Sequence, residues 1–124
     1  MPSNYLSLNQ NKDFLRIYYR GKSCAKPGVV VYAFRNKQKA SEAQNTQFRI
    51  GVTTSKKIGN AVERNRSKRV IVAAWQDILK NEELCEKVSS KWDFVFVARN
   101  KTKFLKSTVI KKRMLDCLKR LDVF

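Results

Sequence analysis

The sequence predicts a single-domain α+β sandwich in the order α-β-β-α-β-α, with helices packed on a small sheet. A chain of 124 residues has the length of one domain, and its hydrophobic fraction of 43% supplies enough apolar side chains for a core. Apolar residues recur at helical spacing in three segments and follow strand patterns in three others. No internal repeat or low-complexity linker divides the chain, so we expect residues 1–124 to form one domain.

The first two predicted elements are a helix and a strand. The segment Asn9–Gly21 favours a short helix that ends at its glycine, and Phe14, Ile17 and Tyr18 share one face of it. The run Val29–Phe34 is β-branched and aromatic, which is typical of a strand. Successive side chains of this strand are expected to point to opposite faces of the sheet.

A polar segment and a second strand follow. Residues 35–47 are polar and predict a hairpin loop. The segment Phe48–Ser55 then alternates between apolar and polar residues, as a half-buried strand does. Its expected core-facing side chains are Phe48, Ile50, Val52 and Thr54.

A long helix is predicted from Asn60 to Lys80. Asn60 is a favourable N-cap, and Glu63 three residues later completes the pattern of a capping box. On a helical wheel the apolar side chains of this segment cluster on one arc. The residues expected to face the core are Val70, Ile71, Ala74, Trp75 and Ile78.

The last two predicted elements are a strand and a helix. Residues 81–91 break the helical pattern, and Trp92–Arg99 is the strongest strand pattern in the chain. The C-terminal segment places its apolar residues on one helical stripe, with lysines and arginines outside it. That stripe consists of Ile110, Met114, Cys117, Leu118 and Leu121.

The charge of the chain indicates a polyanionic partner. Lysine and arginine number 27 against 10 acidic residues, which gives a net charge of +17. Nucleic acid is the simplest partner for such an excess, and an anionic membrane surface is the alternative. No apolar run approaches the roughly 20 residues of a spanning helix. The N-terminus lacks the layout of a signal peptide, so we expect a cytoplasmic protein without a membrane partner.

The composition argues against nuclease chemistry carried by this chain. Histidine, the usual general acid–base residue near neutral pH, is absent, and the ten acidic residues form no convincing cluster for metal ions. The three cysteines, Cys24, Cys85 and Cys117, are widely spaced and form no metal-binding pair, so we expect reduced thiols. The sequence therefore predicts no catalytic residue and no metal ligand.

The stretch "KKIGNAVERNRSKR", from Lys56 to Arg69, carries six basic residues and one acid in fourteen positions. Arginine can grip phosphate oxygens with two parallel hydrogen bonds, and the amide of Asn65 can both donate and accept. The N-terminus of a helix adds free N–H groups and a partial positive charge. A solvated basic surface is the usual role of a charge run alone. The net charge and the cap favour phosphate recognition instead.

The longer stretch "RIGVTTSKKIGNAVERNRSKR" closely resembles the signature of the bacterial ribonuclease P protein subunit, in which an R-N-R triplet follows K-K-x-G-N-A-V. Arg64, Asn65 and Arg66 match the triplet, and Lys68 and Arg69 match the basic pair after it. The segments "DFLRIYYRG", "VVVY" and "WDFVFVAR" are similar to the family's first helix, first strand and third strand. The resemblance thus covers most of the chain.

The resemblance implies a protein that assists a catalytic RNA in removing the 5′ leader from precursor tRNA. That RNA would supply the active site and hold most of the Mg²⁺, and no obligate protein partner is implied. The family also implies a left-handed β-α-β crossover and a fold shared with a domain of a ribosomal protein. The residues expected to bind the catalytic RNA are Lys56, Lys57, Asn60, Arg64, Asn65, Arg66, Lys68 and Arg69.

The resemblance further implies a cleft between the first helix and the sheet that holds the single-stranded leader. Its expected lining is Phe14, Tyr18 and Tyr32, because aromatic faces stack on unpaired bases of any sequence. From the residues alone, core packing is the more common role of such side chains. The resemblance favours leader binding for both tyrosines and leaves Phe14 open between the two roles.

Two positions depart from the family, and two other functions stay open. Val72 stands where the family often has an arginine, and Ser67 stands where an aliphatic residue is common. A basic structural RNA-binding protein, such as a ribosomal protein or an RNA chaperone, would share the charge without needing a leader cleft. A protein-only nuclease would cut RNA without an RNA partner.

Overall fold

The computed structural model describes residues 5–7, 11–35, 48–81, 92–121 and 123. Within these residues five strands and three α-helices form. The strands are β1 (Tyr5–Ser7), β2 (Lys22–Lys26), β3 (Val29–Arg35), β4 (Phe48–Thr53) and β5 (Trp92–Ala98). The helices are α1 (Asn11–Arg20), α2 (Ala61–Lys80) and α3 (Ser107–Arg120), and short 3₁₀ helices span Lys56–Ile58 and Thr102–Phe104.

The strands pair into one sheet in the order β1-β4-β5-β3-β2. The last strand of the sequence, β5, lies at the centre, parallel to β4 and antiparallel to β3. Helix α2 connects β4 to β5, so the basic helix lies in a crossover between two adjacent parallel strands, as predicted. The hand of that crossover stays a prediction.

The predicted α+β class is confirmed, and each of its six elements is present. The prediction omitted the two edge strands, β1 and β2. β1 has only three residues, too few for a periodic pattern. β2 reads Lys-Ser-Cys-Ala-Lys, and most of its side chains are exposed, so it lacks the apolar alternation of an interior strand.

The main core fills one face of the sheet beneath α2 and α3. Trp75 of α2 packs against Phe94 and Phe96 of β5, with ring centroids 5.3 and 5.2 Å apart. The stripe predicted for the C-terminal helix is confirmed: Ile110, Met114, Cys117, Leu118 and Leu121 are all buried.

The predicted core arc of α2 needs one correction. Ile71, Ala74, Trp75 and Ile78 are buried as predicted, whereas Val70 is only half-buried at the edge of the arc. Ser67 is fully buried in the same arc. Its hydroxyl donates to the carbonyl oxygen of Glu63 at 3.0 Å, so the polar group is satisfied inside the core.

Helix α1 covers the opposite face of the sheet. Ile17 of α1 and Val95 of β5 are buried together there, with half-buried side chains around them: Phe14, Tyr18, Tyr32, Phe34 and Val97. The alternation predicted for Val29–Phe34 is therefore present. Val29, Val31 and Ala33 belong to the main core, whereas Tyr32 and Phe34 pack in the cluster beneath α1.

The cysteines that the structure describes are free thiols. Cys117 is buried and its Sγ donates to the carbonyl oxygen of Cys24 at 3.4 Å. Burial raises the pKa of the Cys117 thiol to about 12. Cys85, the residues 36–47 of the predicted hairpin loop, the segment 82–91 and the side chain of Phe48 lie outside the described part of the chain.

Candidate nucleic-acid interface

Helix α2 begins at a complete capping box. The Oδ1 of Asn60 accepts a hydrogen bond from the Glu63 N–H at 2.9 Å, and the Asn60 N–H donates to Oε1 of Glu63 at 3.4 Å. Gly59 precedes the cap with φ +141°, a conformation that favours glycine. A Cβ at Gly59 would lie 2.6 Å from Oε1 of Glu63. The glycine therefore leaves room for the carboxylate to fold back over the helix start.

Lys103, in the 3₁₀ helix after β5, contacts the start of α2. Its Nζ donates to the carbonyl oxygen of Ile58 at 2.7 Å and forms an ion pair with the Glu63 carboxylate. Its own carbonyl oxygen accepts a hydrogen bond from Nε of Arg66 at 3.0 Å. The hydrogen bond from Lys103, followed by that from the Asn60 backbone, holds the pKa of Glu63 below its usual value. Two distant segments thus form one polar surface.

Most of the residues predicted to bind RNA lie together on the exposed side of this surface. We call Lys57, Asn65, Arg66, Lys68 and Arg69 the basic face; all five side chains are exposed. Within this set the charges are uniformly positive, and Asn65 is the one neutral hydrogen-bonding group. The arrangement presents several independent hydrogen-bond donors for phosphate on one helix and the turn before it.

The remaining predicted residues have different surroundings. Arg64 is half-buried, and its Nη1 donates to the carbonyl oxygen of Gly59 at 2.9 Å, so part of its guanidinium braces the helix start. Asn60 is exposed, but its Oδ1 is occupied by the cap. The side chain of Lys56 lies outside the described part of the chain. Val72 is half-buried and leaves a neutral position one turn beyond Lys68.

A shallow groove of about 390 Å³ runs between α2 and the start of α3. Arg66 and Arg69 line it together with apolar atoms from α2, and Ser107 of α3 completes it; the apolar lining residues are Val62, Val70 and Ala73. Val62 is 70% exposed although it is apolar. The groove therefore combines guanidinium groups with a surface that can contact riboses or bases.

The three aromatic residues predicted to line a cleft do lie together, between α1 and the sheet. The rings of Tyr18 and Tyr32 meet edge to face with centroids 4.9 Å apart, and Phe14 lies 6.4 Å from Tyr18. All three side chains are half-buried: they pack on Ile17 and Val95, and part of each remains accessible to solvent. This cluster and the basic face lie on opposite faces of the sheet.

Sequence reasoning did not single out Lys103 or the neighbouring Phe104. Lys103 meets Glu63 across 40 positions of sequence, and no local pattern encodes such a pairing. The short run "KTKF" after the third predicted strand, with an aromatic residue among lysines, is the one signal that could have drawn attention to them.

Two further properties concern the described residues alone. No group of three or more histidine, cysteine or acidic side chains lies close enough there to hold a metal ion. No helix there combines the length and the apolar character needed to cross a membrane.

Comparison with known proteins gives one consistent result. The model of the Ribonuclease P family matches residues 2–122. The chain is 34% identical over 117 residues to the ribonuclease P protein component of Clostridium novyi, covering 94% of each chain. It is 37% identical over 116 residues to that of Macrococcus caseolyticus, covering 90% of this chain and 86% of the relative. A Staphylococcus aureus RNase P protein has a similar structure, with TM-score 0.70 and 33% identity over 95% of this chain and 96% of that one.

Proposed function

The chain belongs to the ribonuclease P protein family, and we propose that it works by binding the catalytic RNA of this endoribonuclease and the 5′ leader of precursor tRNA. As the protein component of a tRNA-processing ribonuclease, it is an RNA-binding protein. The basic face is the observation that carries the proposal, because it gathers four cations and an amide on one exposed surface. We assign contact with the catalytic RNA to this face.

The charge and geometry of the basic face support a phosphate partner. Arg66 and Arg69 can each present a planar fork of N–H donors to a phosphate, whereas lysines act as mobile point charges. Arg66 is already oriented by its hydrogen bond to Lys103, so less side-chain freedom is lost on binding. Asn65 adds a group that can reach a base edge or a 2′-hydroxyl, which distinguishes RNA from a simple anion.

The aromatic cluster supports a second RNA contact on the other face of the sheet. A leader is single-stranded, and its bases can stack on Tyr18, Tyr32 and Phe14 without a sequence requirement. Half-burial suits this role because the rings are held in place by packing while part of each ring remains accessible. We propose that precursor tRNA is recognised here and that mature tRNA, which lacks a leader, is not.

The chemistry of cleavage is assigned to the RNA partner. The sequence contains no histidine to act as a general acid or base near neutral pH. We propose that Mg²⁺ is held mainly by the catalytic RNA and that this chain positions RNA rather than reacting with it. Because its substrate would be a bacterial precursor tRNA, we place its action in the cytoplasm.

Reconstitution with a bacterial catalytic RNA tests the proposal. The protein should raise cleavage of precursor tRNA, and Tyr18→Ala or Tyr32→Ala should weaken precursor binding by about 1–3 kcal/mol per lost stack while mature tRNA is unaffected. Tyr19→Ala is the matched control, because Tyr19 lies on the same helix but is 84% exposed and outside the cluster. Variants that keep the full preference for precursor tRNA while circular dichroism shows them folded would refute the leader contact.

The same assay separates the other functions. A structural RNA-binding protein would bind RNA without enhancing leader removal. A protein-only nuclease would cut precursor tRNA after exhaustive removal of RNA from the preparation. Either result would overturn the assignment of this chain's role.

A further inference from the structure

Phe104 is an apolar ring placed in solvent beside the basic face. Its side chain is 77% exposed, although it stands at the end of a well-packed 3₁₀ helix. Among the described residues, the other large apolar side chains with high exposure are Leu15, Tyr19 and Val62. Val62 lies in the groove beside Arg66, so two of these four exposed groups border the same surface. A single exposed apolar residue is ordinary, but an aromatic ring among cations is a common feature of RNA-binding surfaces.

The backbone that carries Phe104 is held on several sides. The Phe104 N–H donates to the carbonyl oxygen of Lys101 at 3.0 Å, and the Leu105 N–H donates to that of Thr102 at 3.1 Å. Thr102 is fully buried, and its hydroxyl donates to the carbonyl oxygen of Gly28. The ring therefore projects from a fixed position. A partner that stacks on it has to immobilise little more than two side-chain torsions.

One cation contacts this ring, and a second is hydrogen-bonded to the residue that precedes it. The Nζ of Lys103 lies 5.2 Å from the Phe104 ring centroid, within the range of a cation–π contact. The carbonyl oxygen of the same lysine accepts the hydrogen bond from Arg66. A nucleotide whose phosphate contacts Arg66 would therefore have its base, or that of its neighbour, close to the exposed ring.

We infer that Phe104 stacks on an unpaired base of the catalytic RNA and so extends the basic face with a base-stacking contact. This inference rests on the proposed function, since it takes the catalytic RNA as the partner of the basic face. An aromatic ring can stack on any of the four bases, so the contact would tolerate changes of RNA sequence. The leader is a less suitable partner, because its proposed cleft lies under α1 on the other face of the sheet.

Binding of the catalytic RNA alone, without tRNA, tests the inference. Phe104→Ala should weaken binding by about 5- to 160-fold, the range for one lost base–aromatic stack. The dependence of affinity on salt should stay unchanged, because the variant removes no charge. Phe104→Tyr should bind like the wild-type chain, and Phe104→Leu should lose nearly as much as Phe104→Ala. Tyr19→Ala is the control for removal of an exposed aromatic ring elsewhere.

Several outcomes would overturn the inference. Unchanged affinity of Phe104→Ala would refute the contact, and full retention by Phe104→Leu would show plain apolar contact instead of stacking. A loss that appears only when precursor tRNA is present would refute the catalytic RNA as partner. A wild-type chain that fails to bind the catalytic RNA would refute the proposed function itself, which distinguishes the two failures.

Discussion

Removing one arginine from the basic face should change how RNA affinity depends on salt. Arg69→Ala deletes an exposed guanidinium of that face and disturbs no hydrogen bond that the structure shows. Each phosphate contact releases counterions, so the logarithm of the association constant falls with the logarithm of the salt concentration by about 0.7–0.9 per contact. The four exposed cations of the basic face predict a contribution of roughly −3 to −4 to that slope.

Loss of one contact should make the slope less negative by about 0.7–0.9. The wild-type chain should then bind the catalytic RNA about 5- to 8-fold more tightly than Arg69→Ala at 0.1 M salt, and the ratio should approach one near 1 M. The assay is a fluorescence or filter-binding titration of catalytic RNA at five or more salt concentrations, with circular dichroism to confirm folding.

Arg120→Ala is the matched control, because it also removes one exposed arginine. Helix α3 runs away from the basic face. Lys103, just before α3, pairs with Glu63 at the start of α2, whereas Lys111 pairs with Asp77 near the end of α2 at 2.8 Å. Arg120 lies beyond that second contact and should leave the slope nearly unchanged. Equal changes in slope for Arg69→Ala and Arg120→Ala would show that only the total charge of the protein matters. That result would refute a specific role for the basic face.

Three further predictions concern the support of this surface. Asn60→Ala should lower the free energy of unfolding by about 1 kcal/mol through loss of the cap, and an unchanged urea midpoint would contradict this. Glu63→Gln should be destabilising at pH 7; because the folded pKa of Glu63 is lowered from 4.5, the difference from wild type should shrink as pH falls below 4.5 and vanish below the folded pKa. A difference that persists at the lowest pH would assign the loss to packing. Gly28→Ala should cost about 2–4 kcal/mol in thermal or urea unfolding, since Gly28 has φ +95° and a Cβ would lie 2.5 Å from Leu105 Cδ1. A cost below about 0.5 kcal/mol would show that the turn relaxes freely.

The parts of the fold predicted from sequence are those encoded by local patterns. The cap of α2 depends on residues three positions apart, and its buried stripe follows the helical repeat, so both could be inferred from the sequence. Burial of Ser67 was missed because serine is usually a surface residue, although its hydroxyl is satisfied locally by the Glu63 carbonyl four residues earlier. The edge strand β2 escaped prediction because an edge needs no row of apolar side chains.

In the candidate site too, the local features could be predicted and the long-range contacts could not. The motif around Asn65 was visible because family resemblance and helical geometry agreed. The supporting contacts of Lys103 were not, since they join segments far apart in sequence. The grouping of Tyr18 with Tyr32 was predicted from the family and is present in the structure; whether these rings bind a leader remains a proposal.

The position of β5 has a consequence for synthesis of the chain on the ribosome. β4 and β3 are separated by β5, which is the last strand to be made. Before then the chain can form the β2–β3 hairpin and the β1–β4 pair, but these two halves share no strand that joins them. The basic residues 56–69 leave the ribosome before β5, which completes the sheet, and before Lys103, which pairs with Glu63. The sheet and the RNA-binding surface can therefore be completed only after the final third of the polypeptide has been made.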